Sequence, residues 1–170
     1  MSVTLKYPFE RREAPEEYRG APVIDGDRCI GCGACSRACP PDAILVLDDM
    51  REGFRRVVLD VSRCIRCARC EEVCPTGALR LSREFELATP RKEDLVQVVK
   101  LRLARCVVCG NYCDFTVRQV EKALEIVPED VREAARERIS LCRACRRRLL
   151  GEDLANLSTG LWGGILGQEG

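Results

Sequence analysis

The sequence contains no histidine, and several other features that define common protein classes are also missing. Without an imidazole, any metal site must use thiolate or carboxylate ligands. The longest apolar run, 161–166, falls far short of the roughly 18–20 residues that cross a bilayer, so no membrane-spanning helix is expected. The N-terminal segment carries charges throughout and has no apolar core of the kind found in secretory signal peptides.

The chain also lacks an excess of charge of either sign. It has 28 basic and 27 acidic residues, a net charge of +1, which argues against a general nucleic-acid-binding protein. Aromatic residues make up only 5%, so few side chains are available to stack on bases. A basic run near the C-terminus is better explained as the end of a helix, where cations complement the dipole. The run comprises Arg143, Arg146, Arg147 and Arg148.

Cysteine, by contrast, is abundant, with 13 in 170 residues. Eight of them belong to a pattern that occurs twice, as CIGCGACSRACP at 29–40 and CIRCARCEEVCP at 64–75. Both copies read C-x2-C-x2-C-x3-C-P, and both ends are displaced equally, from 29 to 64 and from 40 to 75. This run holds [4Fe–4S] clusters in bacterial ferredoxins. Its x2 spacings suit metals better than a disulfide scaffold.

The repeat predicts two clusters with crossed ligation. Three cysteines at x2 spacing wrap one face of a cubane, whereas the fourth lies too far along the chain and binds the other cluster. The predicted ligands of cluster one are Cys29, Cys32, Cys35 and Cys74. The predicted ligands of cluster two are Cys64, Cys67, Cys70 and Cys39. The clusters should therefore lie side by side, so that an electron enters one and leaves by the other. No catalytic residue is predicted.

The two cysteine loops differ in one respect. Gly31 and Gly33 of the first loop allow amides to approach the sulfides closely, and such hydrogen bonds tune the potential. The second loop has Arg66 and Ala68 at these positions. Its arginines either form a solvated basic rim, or raise the potential of cluster two, or dock an acidic partner. The other two arginines are Arg63 and Arg69.

The five remaining cysteines indicate a second kind of site. Four form two x2 pairs, an arrangement that suits a tetrahedral structural zinc. They are Cys106, Cys109, Cys142 and Cys145. A third iron–sulfur cluster and free redox thiols are the alternatives. Cys113 is left over as a buried small side chain, an alternative ligand or part of a third cluster.

The predicted fold is α+β, a two-cluster bacterial ferredoxin-like domain followed by a small zinc-ribbon-like module with four cysteine ligands. The predicted segments are an extended arm at 1–21, a ferredoxin domain at 22–88, a linker at 89–104, the metal-binding module at 105–150 and a tail at 151–170. The aromatic residues of the arm are as consistent with docking as with disorder. Strands are predicted at 23–25, 43–47, 54–59 and 78–81, a helical turn at 36–39, and helices at 116–127 and 128–138. Residues 95–103 are compatible with either a strand or a helix.

Beyond these motifs, the chain resembles a known family. The stretch CEEVCPTGALRLSREFELATPRKEDL, with KYPFE and YRGAPVID ahead of the first loop, is similar to the ferredoxin-like subunit of formate hydrogenlyase, or hydrogenase-4 component H. That subunit is grouped with those of membrane-bound energy-converting [NiFe] hydrogenases and with chain I of complex I. The resemblance covers roughly residues 5–150.

The resemblance implies a non-catalytic electron-transfer subunit. Its partners would be the hydrogenase small and large subunits, or equivalent peripheral-arm subunits, together with an electron-donor module. The complex would lie on the cytoplasmic face of the cell membrane, which this subunit would reach only through its partners. The eight loop cysteines match the cluster ligands of the family, and the later pairs match its C-terminal module. The alternative function is a free, soluble polyferredoxin carrier.

Overall fold

The computed structural model describes residues 6–7, 9–10 and 13–152 of the chain. The strands are β1 (Pro22–Ile24), β2 (Ile44–Asp49), β3 (Phe54–Asp60), β4 (Leu79–Leu81), β5 (Val96–Arg105) and β6 (Tyr112–Thr116). The α-helices are α1 (Ala34–Arg37), α2 (Arg69–Glu72), α3 (Val117–Ile126) and α4 (Glu129–Ile139). Residues 143–152 are also helical, and two 3-10 turns lie at Val61–Arg63 and Lys92–Leu95.

The described residues form two sheets. One consists of β1 and β4, which run antiparallel and pair Pro22 with Leu81 and Ile24 with Leu79. The other has the strand order β2-β3-β5-β6. The mixed helix and strand content agrees with the predicted α+β class. Within the part of the chain that the structure describes, no helix is long and apolar enough to cross a bilayer.

The chain divides into two compact units. Among the described residues, the first comprises 6–7, 9–10, 13–29, 33–47 and 56–100, and the second comprises 30–32, 48–55 and 101–152. The core of the first unit is small. Its most deeply buried apolar residues are Ala43, Ile44, Val57, Leu59 and Leu79. A core of this size contributes little hydrophobic stabilisation to the unit.

Residues 96–105, which the sequence leaves open between strand and helix, form the ten-residue strand β5. Burial alternates along it, with Leu101 and Leu103 inside. In the first unit, the Gln97 side chain accepts from the Ile24 N–H at 3.1 Å and donates to the Pro22 carbonyl at 2.9 Å. These hydrogen bonds to strand β1 stabilise the extended conformation of β5. They join residues far apart in the chain, so the local sequence pattern does not predict them.

Both predicted long helices are confirmed, and their starts have clear physical causes. Thr116 caps α3 through a capping box with Gln119, in which each side chain bonds the backbone N–H of the other residue. Helix α4 begins directly after Pro128, whose fixed φ favours a helix start. The predicted helical turn at 36–39 was wrong by two residues. Helix α1 starts at Ala34 because Gly33, in the left-handed region with φ 72°, turns the chain immediately after the preceding cysteine.

The N-terminal arm docks on its own domain where the structure describes it. The Gly20 N–H donates to the Ser82 carbonyl and the Ala21 N–H to the Glu84 carbonyl, both at 2.9 Å. The Tyr18 ring packs edge-on against Phe85, with 6.2 Å between the ring centroids. Of the predicted tail, 151–152 belong to the last helical segment, and 153–170 lie outside the described residues.

Candidate iron–sulfur and metal centres

All thirteen cysteines lie within the described residues, and none forms a disulfide. The four predicted ligands of cluster one are half-buried. The fourth cysteine of each loop receives a backbone N–H from four residues downstream. Ala43 donates to Cys39 Sγ at 3.3 Å, and Ala78 donates to Cys74 Sγ at 3.2 Å. Such bonds stabilise the thiolate. Burial alone would raise the pKa of Cys74, but the backbone N–H groups of Leu79, Thr76 and Ala78, with the Thr76 hydroxyl, lower it.

The second loop repeats the backbone of the first without its glycines. Gly31 and Gly33 have φ values of 70° and 72°, and Arg66 and Ala68 have values of 55° and 66°. A residue with a Cβ pays roughly 1–2 kcal/mol in this region. The second loop therefore holds a strained backbone, which persists only when surrounding contacts over-determine it.

A cavity in the first unit is lined by Cys39 together with Cys64, Cys67 and Cys70. These are the four residues predicted to bind cluster two. Burial raises the pKa of Cys70 to about 11, helped by the neighbouring thiolates of Cys64 and Cys39. The fourth cysteine of the first loop therefore lies within electrostatic reach of the second loop. Arg66 and apolar side chains, including Leu59 and Ile65, also line this cavity.

The two later cysteine pairs come together in the second unit. The Sγ atoms of Cys106, Cys109, Cys142 and Cys145 all lie within 4.8 Å of one another. Three of the residues are buried, and Cys109 is exposed. The first pair sits in a tight turn after β5, closed by a 2.9 Å bond from the Gly110 N–H to the Cys106 carbonyl. The second pair flanks the start of the last helical segment.

The spacing of these sulfurs suits a single ion. A Zn–S bond of about 2.3 Å in a tetrahedron implies sulfurs about 3.8 Å apart. The sulfurs of Cys109 and Cys142 are 3.6 Å apart. A cubane would hold its thiolates further apart, because an iron–iron edge lies between each pair of them. The geometry therefore fits a mononuclear tetrahedral ion better than a third cluster.

The pKa values of two of these thiols, Cys106 and Cys145, are shifted in opposite directions. Burial opposes ionisation of Cys106, but the N–H groups of Cys142, Cys109 and Val108 lower its pKa to about 6. The hydrogen bond to Cys142, followed by burial, raises the pKa of Cys145 to about 12. Four thiols this close together cannot all ionise unless a cation neutralises the negative charges that form. The donor set therefore matches a soft divalent ion.

Cys113 lies outside this group of four sulfurs. It is 1% exposed and packs with Leu141 among the buried cysteines. Its thiol donates to the Ser140 carbonyl at 3.7 Å. Burial, followed by the charges of Cys106 and Cys142, raises its pKa to about 11. Cys113 is accordingly a neutral, buried thiol beside the site.

Arg55, a buried charged residue of the second unit, was missed by the sequence analysis. Arg55 is 9% exposed and Thr116 is fully buried. The hydrogen bond to Asp48 raises the pKa of Arg55, burial lowers it, and the nearby Cys32 thiolate adds to the rise. The available signal was alternation in β3, where Arg55 occupies an inward position in register with Val57 and Leu59.

Comparison with known proteins now identifies the family. The profile of the 4Fe-4S dicluster domain matches residues 28–78. Formate hydrogenlyase subunit 6 of Escherichia coli K12 is 37% identical over 151 residues, which cover 86% of this chain and 83% of that protein. The chain belongs to the formate hydrogenlyase subunit 6 family of iron–sulfur subunits. The resemblance inferred from the sequence is thereby confirmed.

Two further proteins are similar to this chain. The chloroplastic NAD(P)H-quinone oxidoreductase subunit I of Hordeum vulgare is 38% identical over 125 residues, covering 69% of each chain. A solved chain of the membrane-bound sulfane sulfur reductase, an archaeal respiratory membrane complex, is 27% identical with a TM-score of 0.44. That match covers 76% of this chain and 64% of the solved one.

Proposed function

We propose that this iron–sulfur subunit relays electrons through two [4Fe–4S] clusters within a membrane-bound oxidoreductase complex. The observation that carries the proposal is the doubled cysteine loop inside a dicluster domain. The curated relatives support it, since they are subunits of formate hydrogenlyase and of a quinone oxidoreductase. When bound, the clusters supply one-electron chemistry.

The chain's contribution is to hold the clusters side by side. Cluster one is assigned to Cys29, Cys32, Cys35 and Cys74, and cluster two to Cys64, Cys67, Cys70 and Cys39. The cavity that Cys39 shares with the cysteines of the second loop supports the crossed arrangement. Since each loop completes the other's ligand set, the two clusters form one relay. Backbone N–H groups directed at Cys39 and Cys74 favour the ionised ligands.

The C-terminal module, at 105–150, is proposed to bind one Zn²⁺ through Cys106, Cys109, Cys142 and Cys145. Its close sulfurs and soft donors support this assignment. Four cysteine ligands would occupy every position of a tetrahedral ion, which is the arrangement of a structural rather than a catalytic zinc. We assign the preceding segments as an N-terminal arm (1–21), a ferredoxin domain (22–88) and a linker (89–104).

The subunit contributes no catalytic group of its own. Its partners are the subunits of the complex, namely hydrogenase small and large subunits or their peripheral-arm equivalents, and an electron donor. The subunit reaches the membrane through these partners, on the cytoplasmic face. The alternative function is that of a free soluble electron carrier, since two clusters with crossed ligation would also transfer electrons in such a protein.

Fractionation of the native host tests the proposal. Cells expressing the tagged full-length chain are broken anaerobically, and the tagged protein is followed through membrane and soluble fractions. We expect it in the membrane fraction with stoichiometric partners and about eight irons per chain. Monomeric, soluble protein with full iron content would establish the free carrier. Protein that never binds iron under reconstitution would overturn both functions.

A further inference from the structure

The Arg55 guanidinium uses every donor it has. Its Nε and Nη2 bond the two Asp48 carboxylate oxygens at 2.6 and 2.7 Å. Its Nη1 donates to the Gly31 carbonyl at 2.8 Å and to Gln119 Oε1 at 3.1 Å. Its Nη2 also donates to the Asp114 carbonyl at 3.0 Å. Five N–H donors thus meet five acceptors, so the side chain has one fixed orientation within the second unit.

Thr116 fixes the neighbouring peptide of the first loop. Its hydroxyl donates to the Ile30 carbonyl at 2.7 Å and accepts from the Gln119 N–H at 3.1 Å. The carbonyls of Ile30 and Gly31 are therefore both held by buried side chains. They are the two carbonyls that immediately precede Cys32, a proposed ligand of cluster one.

Because these two carbonyls are held in place, the N–H groups of the same two peptide units are held in place as well. In a planar trans peptide, the N–H points opposite to the carbonyl of the same unit. The N–H groups of Gly31 and Cys32 are therefore aimed away from Thr116 and Arg55, respectively. Side chains also pack closely against the backbone at Gly31, where an added Cβ would lie 2.7 Å from Leu101 Cδ1 and 3.1 Å from Arg55 Cδ. Oriented N–H groups near a cluster tune its potential.

We propose that Arg55 and Thr116 are positioning residues for cluster one, which set its potential and its retention by fixing the Ile30–Gly31 and Gly31–Cys32 peptides. The inference rests on the proposed function, because it requires a cluster at the first loop. The second loop is stabilised differently. There the Arg66 N–H donates to Cys64 Sγ at 3.3 Å, and the Arg66 side chain donates to the Tyr18 hydroxyl at 3.1 Å. Cluster two is therefore an internal reference.

The test uses Thr116→Val in the full-length holoprotein, purified anaerobically with its clusters. This variant keeps the shape of the side chain but loses the hydroxyl. We expect iron from cluster one to be released to a chelator about tenfold faster, the effect of losing the buried hydrogen bond to the Ile30 carbonyl. A shift in the midpoint potential of cluster one should accompany it, with cluster two unchanged, in redox titrations followed by electron paramagnetic resonance. Cys35→Ser and Cys70→Ser assign the two signals.

Two controls separate positioning from general stability. Thr116→Ser keeps the hydroxyl and should behave as the parent protein. Leu124→Ala weakens the packing of α3 without touching the hydrogen bonds of Thr116 or Arg55, since Leu124 is a buried apolar residue of that helix. It should lower the unfolding temperature and leave the potential of cluster one in place. An equal shift in Leu124→Ala and Thr116→Val would overturn the positioning role.

Arg55→Lys provides a second line of evidence. It keeps the positive charge but cannot reproduce the planar five-donor fork. Positioning by hydrogen bonds predicts that the potential of cluster one shifts in Arg55→Lys as well. A parental potential in both Arg55→Lys and Thr116→Val would contradict the inference. Failure of the proposed function is distinguishable, because the parent protein itself would then hold no iron.

Discussion

The Sγ atoms of Cys109 and Cys142 lie 3.6 Å apart, although 33 residues separate the two cysteines in the sequence. The turn after β5 carries one pair of cysteines, and the start of the last helical segment carries the other. Between them run β6, α3 and α4. An ion bound by all four sulfurs would close this loop, so metal binding and folding of the module should be coupled.

Removing a sulfur from this module should abolish its metal site. We expect Cys142→Ser to lose zinc and to destabilise residues 105–150, because structural zinc contributes roughly 10–16 kcal/mol in finger peptides. Cys113→Ser is the matched control and should retain zinc, since Cys113 is buried outside the four-sulfur group. Metal analysis of the anaerobically purified variants measures both. Iron in excess of eight with no zinc would refute the zinc assignment.

Crossed ligation predicts which cluster each cysteine serves. Cys39→Ser should damage cluster two, although Cys39 belongs to the first loop, because it shares a cavity with Cys64, Cys67 and Cys70. Cys74→Ser should damage cluster one. Electron paramagnetic resonance of the reduced variants resolves the two signals. If Cys39→Ser removed the same signal as Cys35→Ser, the crossed assignment would be wrong.

Arg66 should raise the potential of cluster two. It is half-buried in the second loop, whereas Arg63 and Arg69 are exposed and screened by solvent. A nearby positive charge stabilises the more negative reduced cluster, so Arg66→Gln should lower the potential by on the order of tens of millivolts. Tyr18→Phe removes the hydroxyl that accepts from Arg66 and keeps the charge, so it should change the potential little. An unchanged potential in Arg66→Gln would leave these arginines as a solvated rim.

The glycines of the first loop should differ in their tolerance of a side chain. An added Cβ at Gly33 meets Arg37 Nη1 at 3.5 Å and Val46 Cγ2 at 3.8 Å, ordinary contact distances. Gly33→Ala should therefore cost only the positive φ, about 1 kcal/mol, as Ala68 does in the second loop. Gly31→Ala should cost about 2–4 kcal/mol, because its Cβ would also clash with buried Leu101. Thermal unfolding of the anaerobic holoproteins compares them, and equal losses would contradict the packing argument.

Some of the fold was readable because its signals are local. The capping Thr116, the apolar stripe of α3 and the proline before α4 each act within a turn or two of the helix they define. Strand β5 was ambiguous for the opposite reason. Its conformation depends on pairing with distant strands and on the bonds that Gln97 makes to β1. The start of α1 was misplaced because the positive φ of Gly33, rather than its flanking apolar residues, sets it.

The sequence by itself determined the chemistry, because repeated thiolates at fixed spacing admit few metals, and their spacing is a property of the chain alone. It also determined the family, since the resemblance extends over segments outside the cysteine loops. The two x2 spacings also predicted which four of the later cysteines form a site, but only the tertiary structure showed that Cys113 lies outside that group of four close sulfurs. Only the structure revealed Arg55, whose five acceptors come from four residues spread between Gly31 and Gln119. Hydrogen bonds between distant segments do not require a fixed spacing along the sequence, so no sequence pattern predicts them.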